Sequence, residues 1–289
     1  MRDVSLRAAR LYLRLNVKPR LARAADLREA ARALDLRLPH ETPPLGFQTD
    51  RVGGVRGEWA RSGSGRTLLY LHGGAYFAGS ARTYRPIAAF LASRGFDVFT
   101  PSYRLAPRHP FPAALDDARA AHAALAAEAR RLALAGDSAG GGLALALLQS
   151  LRDSGEKQPA AAALFSPWTD LAIAGASARA FEKSDPLFTR PMLKVGARAY
   201  LAGASPTDPR ASPLYGGLGG LAPLLIHVGS EEMLSDDSLR LAEGVAATGG
   251  EVKLRLWPRA PHGWQLAVGS LAEARCSLSE ASDFLLSRF

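Results

Sequence analysis

The chain is poor in several things that would otherwise decide its class. It has one cysteine, Cys276, in 289 residues. That excludes an intramolecular disulfide and any cysteine-based zinc cluster, and it suits a reducing cytoplasm, the expected location. No run approaches about 18 uncharged apolar residues, so no membrane-spanning helix is expected. Arginines interrupt the apolar residues after Met1, so the start lacks the continuous apolar stretch of a secretory signal. The acids among the basic residues also argue against a transit peptide. Internal repeats and low-complexity tracts are missing as well. With 47% hydrophobic and 22% charged residues, the chain has enough apolar material for a sizeable core and too much for a disordered one.

Acidic charge is in short supply: the net charge is +9 and the pI about 10.1. Residues 1–37 hold ten basic side chains, from Arg2 to Arg37, against four acids, Asp3, Asp26, Glu29 and Asp35. Six of the nine net charges therefore sit in that stretch. The rest of the chain has no basic patch interleaved with aromatics and no zinc-finger spacing, so no nucleic-acid partner is expected. An Arg-rich solvated helix face accounts for the excess.

Val4, Ala8, Leu11, Tyr12 and Leu15 recur at helical spacing and predict an amphipathic first helix. A second helix is expected over residues 24–36, ended by Pro39, Pro43 and Pro44. From residue 47 the pattern changes. Two β-prone runs flank Gly53-Gly54 as a hairpin, and short apolar runs then alternate with helical stretches. The runs cover 68–71, 96–100, 132–135, 161–165, 224–228 and 252–257; the helices are expected at 83–94, 114–130, 139–152, 236–248 and 271–287. Short strands without polar alternation predict an α/β fold, a mostly parallel sheet covered on both faces. Residues 168–222, rich in Pro, Gly and polar residues, read as an insertion.

Gly136-Asp137-Ser138-Ala139-Gly140 fits G-x-S-x-G between a short buried strand and a helix. That is the setting of a nucleophile elbow, where small neighbours let strand and helix close around a strained serine. Strand 68–71 runs into His72-Gly73-Gly74-Ala75, an H-G-G loop of the kind whose backbone N–H groups serve an oxyanion. Gly73, Gly74 and Ala139 are the expected donors, with His72 structural.

These motifs, with Tyr103-Arg104-Leu105-Ala106-Pro107, His109-Pro110-Phe111-Pro112-Ala113-Ala114 and Ser166-Pro167-Trp168-Thr169-Asp170-Leu171, make the chain resemble the bacterial hormone-sensitive-lipase-like esterases of the α/β-hydrolase superfamily. The similarity covers nearly everything from about residue 40. Ala75 departs from it, standing where many members have a third glycine.

The resemblance implies an eight-stranded, mostly parallel sheet flanked by helices, with a helical cap. Residues 1–45 would supply cap helices, and 46–289 the core with the cap insertion at about 168–222. His262 alone among six histidines follows the last expected strand, where the α/β-hydrolase order places the base. The acid should follow strand 224–228, where Glu231, Glu232, Asp236 and Asp237 are available. The family's D-x-L-x-D frame falls on Glu232-Met233-Leu234-Ser235-Asp236 and points to Glu232, with Glu231 one register away.

The implied activity is serine-esterase hydrolysis of short- to medium-chain carboxylic esters through an acyl-enzyme, needing no metal or organic cofactor. A lactone hydrolase on the same residues, a non-catalytic ligand-binding protein on the same scaffold and a membrane-surface protein docked by the basic N-terminus are the alternatives. The expected partner is a small-molecule ester; stable membrane insertion is not expected, and a homodimer is left open. Tyr76, Phe77, Phe188, Leu214 and Trp264 are candidates for pocket lining. The apolar stripe Val4, Ala8, Leu11, Tyr12 and Leu15 is expected to pack on the 168–222 insertion and wall the acyl pocket.

Overall fold

Short apolar runs that do not alternate with polar residues become strands buried on both sides. The computed structural model describes residues 4–36 and 38–289. Arg2, Asp3 and Arg37, counted above among the N-terminal charges, lie outside the described residues. The strands are β1 (Phe47–Val52), β2 (Val55–Ala60), β3 (Thr67–Leu71), β4 (Asp97–Pro101), β5 (Leu132–Asp137), β6 (Ala162–Phe165), β7 (Leu224–Gly229) and β8 (Val252–Trp257). They form one eight-stranded sheet in the order β1-β2-β4-β3-β5-β6-β7-β8. The hairpin β1–β2 and the β2–β4 pair are antiparallel; every other pairing is parallel.

The period-two geometry of a strand splits the core into two layers. Leu69, Leu71, Phe99, Leu134, Leu164 and Ile226 face one layer. Leu68, Tyr70, Val98, Ala133, Ala135 and Leu225 face the other. Helices Ala113–Glu128, Ser138–Asp153 and Ser235–Ala247 cover the first layer, while Arg85–Ser93 and Ala272–Leu286 cover the second. Strands and helices fall within a few residues of the ranges expected from sequence.

Two segments lie outside this frame. Residues 168–222 join β6 to β7 and contribute helices Ser177–Ala180 and Arg190–Leu201 and a 3-10 turn at Pro213–Tyr215, but no strand. The N-terminal segment forms helices Leu6–Tyr12, Lys18–Arg23 and Leu27–Leu34, with a π-helical turn at Leu13–Val17. Pro19 explains that turn. A proline inside a helix has no N–H and crowds the carbonyl four residues back. The ladder responds with a wider turn, in which the Lys18 N–H reaches the Leu13 carbonyl.

The stripe Val4, Ala8, Leu11, Tyr12 and Leu15 does not pack on the 168–222 segment; all five residues are exposed. Leu6, Ala9, Leu13 and Val17 turn inward instead. The helix is apolar on two faces, so periodicity alone could not tell which one is covered. Polar contacts tie the two segments together. The Arg10 guanidinium donates to the Ser184 carbonyl (3.2 Å), and the Lys18 ammonium to the carbonyls of Glu182 (3.1 Å) and Asp185.

The junction of β5 with the following helix is the tightest point of the sheet. A Cβ on Gly140 would lie 2.0 Å from the Leu71 carbonyl oxygen and 2.4 Å from that of His72. Both obstacles are backbone and cannot rotate away. Gly140→Ala should therefore cost about 3 kcal/mol or more. It should appear as a large fall in the urea midpoint, or as failure to fold, whereas Gly217→Ala, whose nearest neighbour would be the end of the Arg152 side chain at 3.5 Å, should show neither collapse. A Gly140→Ala protein with an unchanged midpoint would contradict the packing described.

Candidate active site

Ser138 sits where β5 passes directly into the helix Ser138–Asp153. Its φ is +52°, a left-handed conformation that non-glycine residues rarely adopt. Its neighbour Gly136 is forced to be small, because a Cβ there would stand 2.5 Å from the Gly140 oxygen. The side chain opens at the helix N-terminus into a cavity of about 480 Å³ that His262 also lines.

His262 follows β8, in the loop before the short helix Trp264–Ala267. Its Nδ1–H donates to Oε2 of Glu232 at 2.8 Å, and both residues are buried. The other oxygen of Glu232 accepts from the Gly229 N–H (2.7 Å) and the Ser166 hydroxyl (2.8 Å). Burial alone would lower the His262 pKa. The adjacent Glu232 charge and its hydrogen bond, with Asp185 and Asp137 beyond, outweigh that and raise it above the ordinary 6.5. Glu231 points elsewhere, pairing with Arg10 at 3.0 Å. Of the two registers left open, the structure puts Glu232 on the histidine.

The loop after β3 departs from expectation at one amide. The Gly73 N–H donates to Oδ1 of Asp137 at 2.9 Å, so it is not free for a substrate oxygen. A single N–H cannot serve both, and Gly73 is withdrawn as an oxyanion donor. Gly74 and Ala75 line the cavity in its place. Asp137 also accepts from the hydroxyls of Tyr84 (2.8 Å) and Tyr70 (3.1 Å). Burial pushes its pKa up to about 6, against the lowering pull of the Tyr84 bond, the His262 charge, the Tyr70 bond and the Gly73 N–H. His72 is buried and stacked on Tyr103 with centroids 4.3 Å apart. Its Nδ1 donates to the Gly73 carbonyl (2.7 Å), and burial lowers its pKa to about 4. It is a neutral brace for the loop.

Of the five expected lining residues, Phe188 and Trp264 reach the cavity. The Phe188 ring meets the His262 imidazole edge-on with centroids 4.9 Å apart. Tyr76, Phe77 and Leu214 do not line it. Tyr76 has a left-handed φ of +63°, and its ring is carried into the core to stack on Tyr200 at 3.7 Å. Phe77 packs beside Gly196 of the helix Arg190–Leu201. Leu214 is held in its 3-10 turn by an N–H bond to the Thr169 carbonyl and packs against the core. Of the N-terminal stripe expected to wall the pocket, Val4, Ala8 and Tyr12 line the cavity and Leu11 and Leu15 do not; the rest of the wall comes from residues with no chemical signature, Leu13, Leu34, Leu36 and Leu38 of the N-terminal segment, with Leu266 and Leu271 beyond β8. Among the described residues no cluster of His, Cys, Asp or Glu could hold a metal ion.

Asp185 was also missed. It is buried, and its Oδ1 accepts the N–H groups of Leu187 (2.8 Å) and Phe188 (2.9 Å) while Oδ2 accepts that of Met233 (3.1 Å). It thus ties the 168–222 segment to the loop bearing Glu232. A signal was present in Ser184-Asp185-Pro186, since Asp before Pro favours such local turns.

A model of the alpha/beta hydrolase fold matches residues 68–266. An acetyl-hydrolase of Streptomyces hygroscopicus is 45% identical over 240 residues, 81% of this chain and 80% of its own length. An esterase of Acinetobacter venetianus is 36% identical over 87% of this chain and 85% of its own. The crystal structure of an esterase from the bacterial hormone-sensitive lipase family superposes with a TM-score of 0.90 at 36% identity, covering 96% of this chain and 97% of that one. EstE5 soaked with p-nitrophenyl butyrate gives 0.91 at 33% identity, with 98% of both chains covered.

Asp185→Ala would leave three buried N–H groups without acceptors. It should lower unfolding stability by about 2–4 kcal/mol and Asp185→Asn by less, read from urea midpoints. Equal midpoints for the wild type and the alanine variant would remove Asp185 from this role.

Proposed function

Because the chain belongs to the α/β-hydrolases, in their hormone-sensitive-lipase-like esterase branch, we propose that it hydrolyses carboxylic esters through a covalent acyl-enzyme on Ser138. One observation carries this reading. A buried carboxylate fixes the Nδ1–H of a histidine that opens into the same apolar cavity as a serine at a strained elbow.

Ser138 Oγ attacks the ester carbonyl carbon while His262 takes its proton. The Glu232 bond holds the imidazole tautomer and stabilises the imidazolium that forms. The N–H groups of Gly74, Ala75 and Ala139 face the developing oxyanion, Ala139 being the first residue past the nucleophile at the helix N-terminus. The intermediate collapses, and His262 returns the proton to the departing alkoxide. A water then attacks the acyl carbon with His262 again as base, which releases the acid and restores Ser138.

The cavity suggests the substrate. At about 480 Å³ it falls within the rough 300–1,000 Å³ range of small-molecule sites, and its leucine-rich wall suits an alkyl chain. It is larger than an acetyl group needs. Short- to medium-chain acyl esters fit best, and the N-terminal segment serves as part of a cap over the site.

Four measurements test this. Ser138→Ala should abolish hydrolysis with an unchanged fold, and a serine-directed phosphonate should add one mass increment on the peptide containing Ser138. Labelling elsewhere, or an active alanine variant, would falsify the nucleophile. Wild-type kcat/KM should fall as pH drops through an apparent value above 6.5, because protonated His262 cannot act as base. Glu232→Gln should cost roughly 10²–10⁴ in kcat and move that limb to lower pH, with Glu231→Gln mild; the reverse pattern would exchange the two acids.

The acyl wall has its own test. Leu36→Trp should fill part of the leucine-lined wall and lower kcat/KM for hexanoyl esters roughly tenfold or more, with acetyl esters changed much less. Parallel losses on both would place the acyl chain elsewhere.

A further inference from the structure

The N-terminal helix leaves uncovered a face that a polypeptide in water usually hides. Leu15 is 63% exposed, Leu11 56%, Tyr12 51% and Val4 41%. These four are half of the exposed large hydrophobic residues among those described, and they fall within twelve positions. Arg7 and Arg14 stand on the same outward side, both exposed. Neither makes an ion pair among the described residues, and nor do Arg20 and Arg23 further along the segment.

Among the described acids of the segment, Asp26, Glu29 and Asp35 make their hydrogen bonds away from these arginines. Asp26 caps the Glu29 N–H (2.9 Å), Glu29 returns to the Ala25 N–H (3.0 Å), and Asp35 accepts from the Thr83 hydroxyl (2.7 Å). The other two cations of the first helices are also spoken for, Arg10 by Glu231 and Lys18 by backbone carbonyls. What remains outside is an apolar stripe edged with unneutralised positive charge.

We propose that this face docks the protein reversibly on an anionic lipid surface. The physics is that of an interfacial amphipathic helix: leucines enter the boundary between headgroups and acyl chains, and arginines meet the headgroup charge. A second copy of the chain is the competing occupant. It would bring two such basic faces together, with no acid among the described residues 4–25 of either to offset them. Insertion across the bilayer is not involved, since no described helix is long and apolar enough to cross it.

The face is continuous with the entrance of the site. Val4, Ala8 and Tyr12 are exposed and also line the cavity that reaches Ser138. Docking would set the opening of the cavity against the lipid, where esters of low water solubility are concentrated. This delivery of substrate rests on the proposed function; the docking itself does not.

The test is therefore built on binding. Full-length Ser138→Ala protein, which would leave the lipids intact, is sedimented with vesicles of phosphatidylcholine containing about one-third phosphatidylglycerol, and with phosphatidylcholine alone. Binding should appear with the acidic vesicles and fall steeply between low and about 0.5 M salt. Arg7→Gln with Arg14→Gln should weaken it about fivefold per arginine. Leu11→Ser with Leu15→Ser should weaken it roughly tenfold or more. Neither leucine lines the cavity, so the same pair in the Ser138 protein should keep its activity on dissolved acetyl esters, which also reports that the variant is folded. Failure of the wild-type face to sediment with acidic vesicles, or undiminished binding in both variants, would overturn the proposal. So would a solution dimer that the leucine variant converts to a monomer, because the face would then belong to a second copy. A protein that docks but hydrolyses no ester would sink the proposed function and leave the docking standing.

Discussion

The structure of the site depends on one buried carboxylate having every partner it needs. Glu232 joins the ends of β6 and β7, through Ser166 and Gly229, to the loop beyond β8, through His262. A carboxylate hidden from water is costly unless its oxygens are occupied, and here three donors occupy them. Those donors come from distant parts of the sequence, so the sheet must be formed before the bond set can exist. The histidine receives its tautomer and orientation from the same requirement.

Asp137 and Asp185 follow the same logic around it. Asp137 fastens the loop after β3 to the elbow through the Gly73 amide and two tyrosine hydroxyls. Asp185 fastens the 168–222 segment to the Glu232 loop. Each of the three acids accepts at least one backbone N–H: Asp137 that of Gly73, Asp185 those of Leu187, Phe188 and Met233, and Glu232 that of Gly229. Each of these bonds has a fixed direction, which a purely apolar contact lacks.

The sheet was legible in the sequence because both determinants of strand and helix, periodicity and breaker residues, are local. Ser138 was legible for a related reason: G-x-S-x-G describes a packing limit that glycine spacing reports directly. Glu232 followed from a frame of five residues. The failures concern direction. Residue type says that Gly73 has an amide, but not that Asp137 will claim it. An aromatic residue after a glycine loop reads the same whether it turns to the cavity, as hoped of Tyr76, or into the core, as its left-handed backbone dictates. The first helix misled because it is apolar on two sides and because Pro19 widens a turn, which no 3.6-residue period describes. The leucines of the cavity wall carry no chemical mark and become a site only once they are assembled.

The left-handed backbone at Ser138 has a further meaning. A conformation that costs about 1–3 kcal/mol is maintained at a single residue by glycines and strands that leave it no alternative. A glycine would adopt the same φ without that penalty, so the protein would be more stable with no side chain at that position. At Ser138 the fold is thus held short of its own stability optimum. The rigidity of the surrounding sheet keeps a reactive group in a posture that the isolated peptide would abandon.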